Sequence, residues 1–183
     1  MKTLIFSLLL IAVTTFSQAQ EITQLEEAKV GFAPLDAEIT RDGDSFSYKV
    51  NSNYTGAFSK DAIGFMKANF DIKNFIAEIG GDYNSYVVTF TSGNGYLSAN
   101  FDDEGNLVKT HQKFTDIVLP LDVRREVYMA NKGWTMTQNK YVASGKGDLI
   151  EKENYKIKLE NGNQKRTMKI DPRTSGSSVA SNE

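Results

Sequence analysis

Tyr86 to Asp102 and Tyr155 to Asp171 align without a gap, and the two segments spell one β-hairpin twice. In both, a Tyr opens the segment, Gly-Asn stands at its centre and Asp closes it. Apolar residues recur at matching alternate positions, which is the period of a strand with one buried face. With Gly93-Asn94 as a two-residue turn, Phe90 faces Leu97, Val88 faces Ala99 and Tyr86 faces Phe101. Glycine first in that turn predicts type II′ geometry, which matches strand twist. In the second copy Tyr155, Ile157, Leu159, Met168 and Ile170 share the apolar face. A duplication of this size constrains the chain to a small repeated unit rather than one catalytic domain.

The segments around each copy extend the pattern. Ser59 to Asn69 has helical spacing, with Ser59 placed to cap the first turn and Asp61 close behind to favour its positive end. Phe70 to Ile79 reads as either a strand or a second short helix, closed by Gly80-Gly81. Asp103-Glu104-Gly105-Asn106 turns the chain into a strand from Leu107 to about Phe114. Pro120 opens a second helix at its first position, where the missing N–H is no loss. Val123, Val127 and Ala130 form its stripe, with Leu121 and Tyr128 beside it, and it ends near Asn131. Trp134 then starts a strand reaching about Ala143, and Gly145 to Asp148 reads as a loop. Each half is thus a helix followed by three strands.

The expected fold is α+β: two tandem α-β-β-β repeats forming an antiparallel sheet with helices on one face. An N-terminal hairpin precedes it, since Asp42-Gly43-Asp44 separates the extended runs 37–41 and 45–50. Asn51 to Gly56 reads as loop, and Asn53-Tyr54-Thr55 within it matches a glycosylation sequon, to which little weight attaches.

The first residues read as an export signal. Lys2 gives a positive start, Leu4 to Val13 is apolar, and Ser17-Gln18-Ala19 is a small-x-small cleavage site. The apolar run is shorter than the roughly 20 residues that cross a bilayer as a helix. The expected organisation is a signal at 1–19, an N-terminal extension with its hairpin at 20–57, the tandem domain at 58–171 and an unstructured Ser-rich tail at 172–183. The expected compartment is the periplasm or the cell exterior. The chain carries 21 basic and 23 acidic residues. Losing Lys2 leaves 20 against 23, a net of −3, which gives no footprint for nucleic acid. With no cysteine, stability rests on the apolar core alone.

Catalytic signatures are sparse. The single histidine, His111, falls in a strand, and no Gly-x-Ser-x-Gly elbow surrounds a serine. One His and no Cys exclude the usual zinc sets. No phosphate-binding glycine motif is present. No cofactor is expected. Asp102 to Asn106 is the densest acidic cluster. Its residues suit a solvated turn, and they lack the spacing of a calcium loop. Acid–base chemistry from Asp102 and Glu104 is the residual enzymatic reading. Gly145-Lys146-Gly147 reads as a loop rather than an anion cradle, and Trp134 reads as core.

Several of these segments resemble the PepSY-like proteins, also described as β-lactamase-inhibitor-protein-like and exported by Bacteroidetes-type bacteria. The likeness is carried by Phe101 to Thr110, Leu119-Pro120 with its helix, Gly133-Trp134-Thr135, Tyr155 to Leu159 and Ile170-Asp171. It spans roughly Asn69 to Asp171, and its motifs are structural. It implies a tandem α-β-β-β fold and a non-catalytic envelope module, with related domains restraining peptidases. It transfers no contact residues.

The sequence therefore points to a binding or inhibitory module that meets an envelope or extracellular protein through the outer sheet face. Thr89, Tyr96 and Ser98 in the first copy, and Lys156, Lys158, Lys165 and Lys169 in the second, are the candidate contacts. The alternative is a carrier of a small apolar ligand between helices and sheet.

Overall fold

The computed structural model describes residues 34–79, 83–173 and 180–182. The export signal, the polar lead-in, Gly80-Gly81 and most of the Ser-rich tail lie outside the described residues. The elements run β1 (Leu35–Asp42), β2 (Ser45–Val50), a 3₁₀ turn (Ser52–Tyr54), α1 (Thr55–Lys60), α2 (Ala62–Asn69) and α3 (Ile72–Ile79). Then come β3 (Ser85–Ser92), β4 (Gly95–Asp102), β5 (Leu107–Thr115) and α4 (Leu121–Ala130). The chain closes with β6 (Thr135–Lys146), β7 (Leu149–Asn161), β8 (Gln164–Ile170) and β9 (Ala180–Asn182). The described residues form an α+β fold with one nine-stranded sheet in sequence order. Every neighbouring pair is antiparallel except β2 and β3. Parallel neighbours need a long crossover, and the three helices between Val50 and Ser85 supply it.

Both duplicated hairpins pair in the expected register. Tyr86 faces Phe101, Val88 faces Ala99 and Phe90 faces Leu97. Tyr155 faces Ile170 and Ile157 faces Met168. The turns differ. Gly162 has φ +58°, as a type II′ turn requires, whereas Gly93 stays outside the left-handed region. The first turn is held from β5 instead: the Thr115 N–H and hydroxyl both donate to Asn94 O, at 2.8 and 3.2 Å. A tertiary contact here overrides the local glycine preference.

The alternating inner residues of β2 to β8 join the buried residues of all four helices in a single apolar cluster. Tyr48 stacks on Phe90 at 5.7 Å, Phe70 meets Phe90 edge-on at 5.3 Å, and Phe46 meets Phe75 at 4.9 Å. Trp134 packs against this cluster half-buried, at its margin rather than inside it.

Several expected boundaries shift. The segment 51–56 is not a loop but a 3₁₀ turn leading into α1. The helix expected from Ser59 is broken at Asp61, which leaves helical geometry (φ −149°, ψ 82°) and caps α2 by accepting from Gly64 N at 2.9 Å. Asp61 outcompetes Ser59 because its carboxylate both pairs the free N–H and meets the positive end of the helix. Ser59 Oγ donates instead to Gly56 O. The ambiguous 70–79 segment is the helix α3, whose first turn is capped by Asp71. Pro120 stands just before α4 with extended backbone (ψ 152°) rather than inside it. In α4 only Val123 and Val127 are buried, while Leu121 and Tyr128 are exposed. Gly145 is not loop: it lies in β6, and Gly147-Asp148 makes the turn of a long β6–β7 hairpin.

Among the described residues no helix is long and apolar enough to cross a membrane.

Candidate functional site

The sheet face opposite the core presents its residues in rows fixed by strand register. One row runs Ser47, Thr89, Ser98, His111, Ser144, Lys152 across β2 to β7. Thr89 and Ser98 are direct neighbours, and Tyr96 lies between Thr91 and Lys113. The Tyr96 ring also approaches His111 at 5.9 Å. The second row is different in kind. Lys140 on β6 is directly opposite Lys156 on β7, and Lys156 is directly opposite Lys169 on β8. Lys158 stands two residues on from Lys156, facing Gln138 and Thr167.

The ion pairs among the described residues are Lys67–Asp148, Lys146–Glu151, Arg173–Asp171 and Lys165–Glu160, the last at 3.3 Å. Lys165 is thereby separated from the other candidates, since a cross-strand glutamate already satisfies it. Lys113, Lys140, Lys156, Lys158 and Lys169 have no ion-pair partner among the described residues. Lys113 reaches Lys140 from β5, and its ammonium pushes Lys140 below the ordinary lysine range; partial burial and Lys156 act in the same direction. A cavity of about 220 Å³ opens between Thr115, Gln138, Lys140, Lys156 and Lys158.

Like charges directly opposite on adjacent strands are destabilising. The folded protein holds Lys140 below its unfolded-state value, so the unfavourable contribution is full at neutral pH. It fades as pH climbs from the folded value to the ordinary lysine value, above which both states are neutral. Lys140→Gln is therefore expected to melt higher than the wild type at pH 7. The gap should close as melting is repeated toward pH 11, and a gap that is constant with pH would show that charge is not its cause.

Lysines on exposed strands carry little sequence signal by themselves. Lys156, Lys158 and Lys169 were visible through the hairpin repeat. Lys113 and Lys140 come from β5 and β6, and only the sheet register places them beside the others. A bulge between Met136 and Gln138 sets the register of β6 against β7, and no periodicity announces it.

The acidic turn resolves as structure. Asp102 Oδ1 accepts from the N–H groups of Glu104 and Asn106 at 3.1 and 2.7 Å, and Oδ2 accepts from the Asn106 side chain at 2.9 Å. The Asn106 amide bond holds the Asp102 carboxyl below its usual range, which suits a fixed acceptor rather than a proton-transfer group. Gly105 completes the turn at φ +83°. Among the described residues no group of three or more His, Asp or Glu side chains is placed to hold a metal ion.

No family model, curated protein or solved structure matches the chain.

Proposed function

We propose that this is an exported, non-catalytic binding module whose outer sheet face takes an acidic segment of a partner protein. The observation that carries this reading is the row Lys140, Lys156, Lys169, three ammonium groups facing one another across three strands with no described counter-ion. A sheet seldom keeps such a row for stability, because each facing pair opposes folding. A partner carboxylate between two lysines turns that repulsion into two charge-assisted hydrogen bonds. The face is broad and held by hydrogen bonds on both sides of β7, so it is ordered before the partner arrives. Thr89, Tyr96 and Ser98 lie on β3 and β4 of the same sheet and extend the contact as polar rim.

The likeness to PepSY-like proteins supports the same class. The element order, helices then β3–β5 and one helix then β6–β8, fits two copies of an α-β-β-β unit, the first enlarged by two helices. On this reading residues 1–19 direct export to the periplasm or beyond, and the partner is an envelope or extracellular protein such as a peptidase.

Lys156→Glu separates binding from folding. It places one carboxylate between two lysines, so the variant should melt above the wild type. Its affinity for a ten-residue oligoglutamate should fall at least about tenfold, since one neutralised contact to a charged group accounts for that much. Titration calorimetry at low and high salt measures both the affinity and its screening. Equal affinity in the two proteins would remove the lysine row from the site.

A further inference from the structure

A second concavity lies on the helix side of the sheet, away from the lysine row. It encloses about 750 Å³ between α1 and α2, the 116–120 loop and the inner faces of β5 to β7. That is within the size range of small-molecule pockets. Ala62, Ile63, Ile117, Leu119 and Ile150 supply apolar wall. The sheet supplies polar groups, Gln112 from β5, Tyr141 from β6 and Tyr155 from β7.

Gln112 is the informative residue. It is only 5% exposed, yet its side-chain amide has no hydrogen-bond partner among the described residues. Its polar atoms are not sealed in by protein, because Asn131 Oδ1 is the one fully enclosed unpaired side-chain atom among the described residues. The Gln112 amide thus borders the cavity with a donor and an acceptor to offer. Tyr155 is 6% exposed and its hydroxyl is likewise unpaired among the described residues. Tyr141 differs: its hydroxyl donates to Glu153 at 3.0 Å and keeps its lone pairs.

The charge around the cavity selects the ligand further. Asp61 and Asp116 line it, and Glu153 stands behind Tyr141. Lys60 is the lining cation and is exposed to solvent. Arg173, the cation that acts on Tyr141, is already paired with Asp171 at 3.5 Å, so an anion would have to leave water for a floor with no unpaired cation among the described residues, which is costly. A neutral carbonyl or amide would find its donor and acceptor ready.

The rim is also set in advance. Asn139, 4% exposed, accepts from Ile117 N at 3.1 Å and donates to Ile117 O at 2.9 Å. Asp116, held at φ +52°, donates its N–H to Asn139 O and accepts from Asn139 N. These four hydrogen bonds fix the loop that forms one wall.

We propose that this cavity binds a small uncharged molecule with an apolar body and one hydrogen-bonding carbonyl or amide group, which pairs with Gln112. The ligand site and the lysine row lie on opposite faces of the sheet and are independent.

The test uses residues 20–183 and the neutral naphthyl ketone 6-propionyl-2-dimethylaminonaphthalene, whose emission shifts to the blue when its carbonyl leaves water. Saturable one-to-one binding is expected. The anionic probe 8-anilinonaphthalene-1-sulfonate should bind at least about tenfold more weakly, reflecting the unpaired charge. Gln112→Leu keeps the side-chain size, removes the unpaired amide and should weaken the ketone about tenfold. The same variant should melt no lower than the wild type without ligand, which shows that its lost affinity is not lost structure. Ile117→Trp, filling the cavity from a loop, should abolish binding. Lys156→Glu should leave ketone binding unchanged, so failure here is distinguishable from failure of the lysine row. Absence of saturable binding by the folded wild type overturns the proposal. Equal binding of the two probes, or unchanged affinity in Gln112→Leu, does the same.

Discussion

Phe90→Ala is expected to destabilise the protein by about 4 kcal/mol, within the range for deleting a buried phenylalanine ring. Phe90 is 0% exposed and lies at the centre of the first hairpin. Its ring is shared by Tyr48 from β2 and Phe70 from the loop before α3. Removing it takes a partner from both the strand and the helical crossover that connects β2 to β3. The surrounding wall is made of rings anchored to different elements, so it cannot close over the void without moving several of them. A melting temperature lower by roughly 8–16 °C is the corresponding thermal readout for a domain of this size. Urea unfolding with an unchanged slope would confirm a stability effect rather than an altered denatured state. A loss under about 1 kcal/mol would mean that the aromatic cluster is loosely packed, contrary to the density of ordinary cores.

Gly145→Ala is expected to cost about 3 kcal/mol or more, at or beyond the upper end of the overpacking range. Gly145 is buried within β6 at a bulge against β7, where the pairing steps from Ser144–Lys152 to Gly145–Ile150. A methyl group there would stand 1.8 Å from Leu149 O, 2.8 Å from Leu149 C and 2.9 Å from Ile150 Cα. All three obstacles are backbone, so no rotamer relieves the clash. The bulge must open or the hairpin must slip. Gly93→Ala is the control: a methyl group at Gly93 meets nothing within 4 Å, and its φ is not left-handed. It should stay within about 1 kcal/mol of the wild type. Equal stability of Gly145→Ala and the wild type in chemical unfolding would show that the bulge is not held in this form.

The two glycines illustrate what the sequence could and could not convey. Gly93 looked like a turn residue and is one, because strand alternation on either side left only two positions for the reversal. Gly145 looked the same, with Gly-Lys-Gly-Asp around it, yet it belongs to a strand. Its role comes from how closely β7 passes, which depends on residues beyond its own segment. The same distinction runs through the helices. Helical spacing over 59–69 marked a helix there with Ser59 as its cap, but Asp61, expected only as a favourable charge in the first turn, is the residue that caps α2. Short apolar segments such as 70–79 carry both strand and helix periods. Here Asp71, accepting from Lys73 N and Asn74 N, supplies the missing start signal.

The candidate site divides along the same line. Lys156, Lys158 and Lys169 could be named from alternation within the repeated hairpin, because the buried set Tyr155, Ile157 and Leu159 fixes which residues face outward. That Lys140 completes the row, that Lys113 presses on it and that Lys165 is withdrawn by Glu160 are facts of pairing between strands. Gln112 was no more than an alternate strand position in the sequence. Its significance lies in what surrounds it: apolar wall, two tyrosines and no hydrogen-bond partner for its side chain among the described residues. Buried polar residues of this kind are legible only when the satisfied and unsatisfied ones can be told apart. Asn139, equally buried, spends its amide on Ile117, while Gln112 does not.

The most direct test of the binding-module account is a titration of isotope-labelled residues 20–183 with oligoglutamate, followed by amide chemical shifts in nuclear magnetic resonance. The account predicts salt-sensitive shifts at Lys113, Lys140, Lys156, Lys158 and Lys169, with Lys156→Glu abolishing them and with the amides of α2 and the 116–120 loop unmoved. Shifts scattered over the surface, or concentrated on the helix side of the sheet, would contradict it.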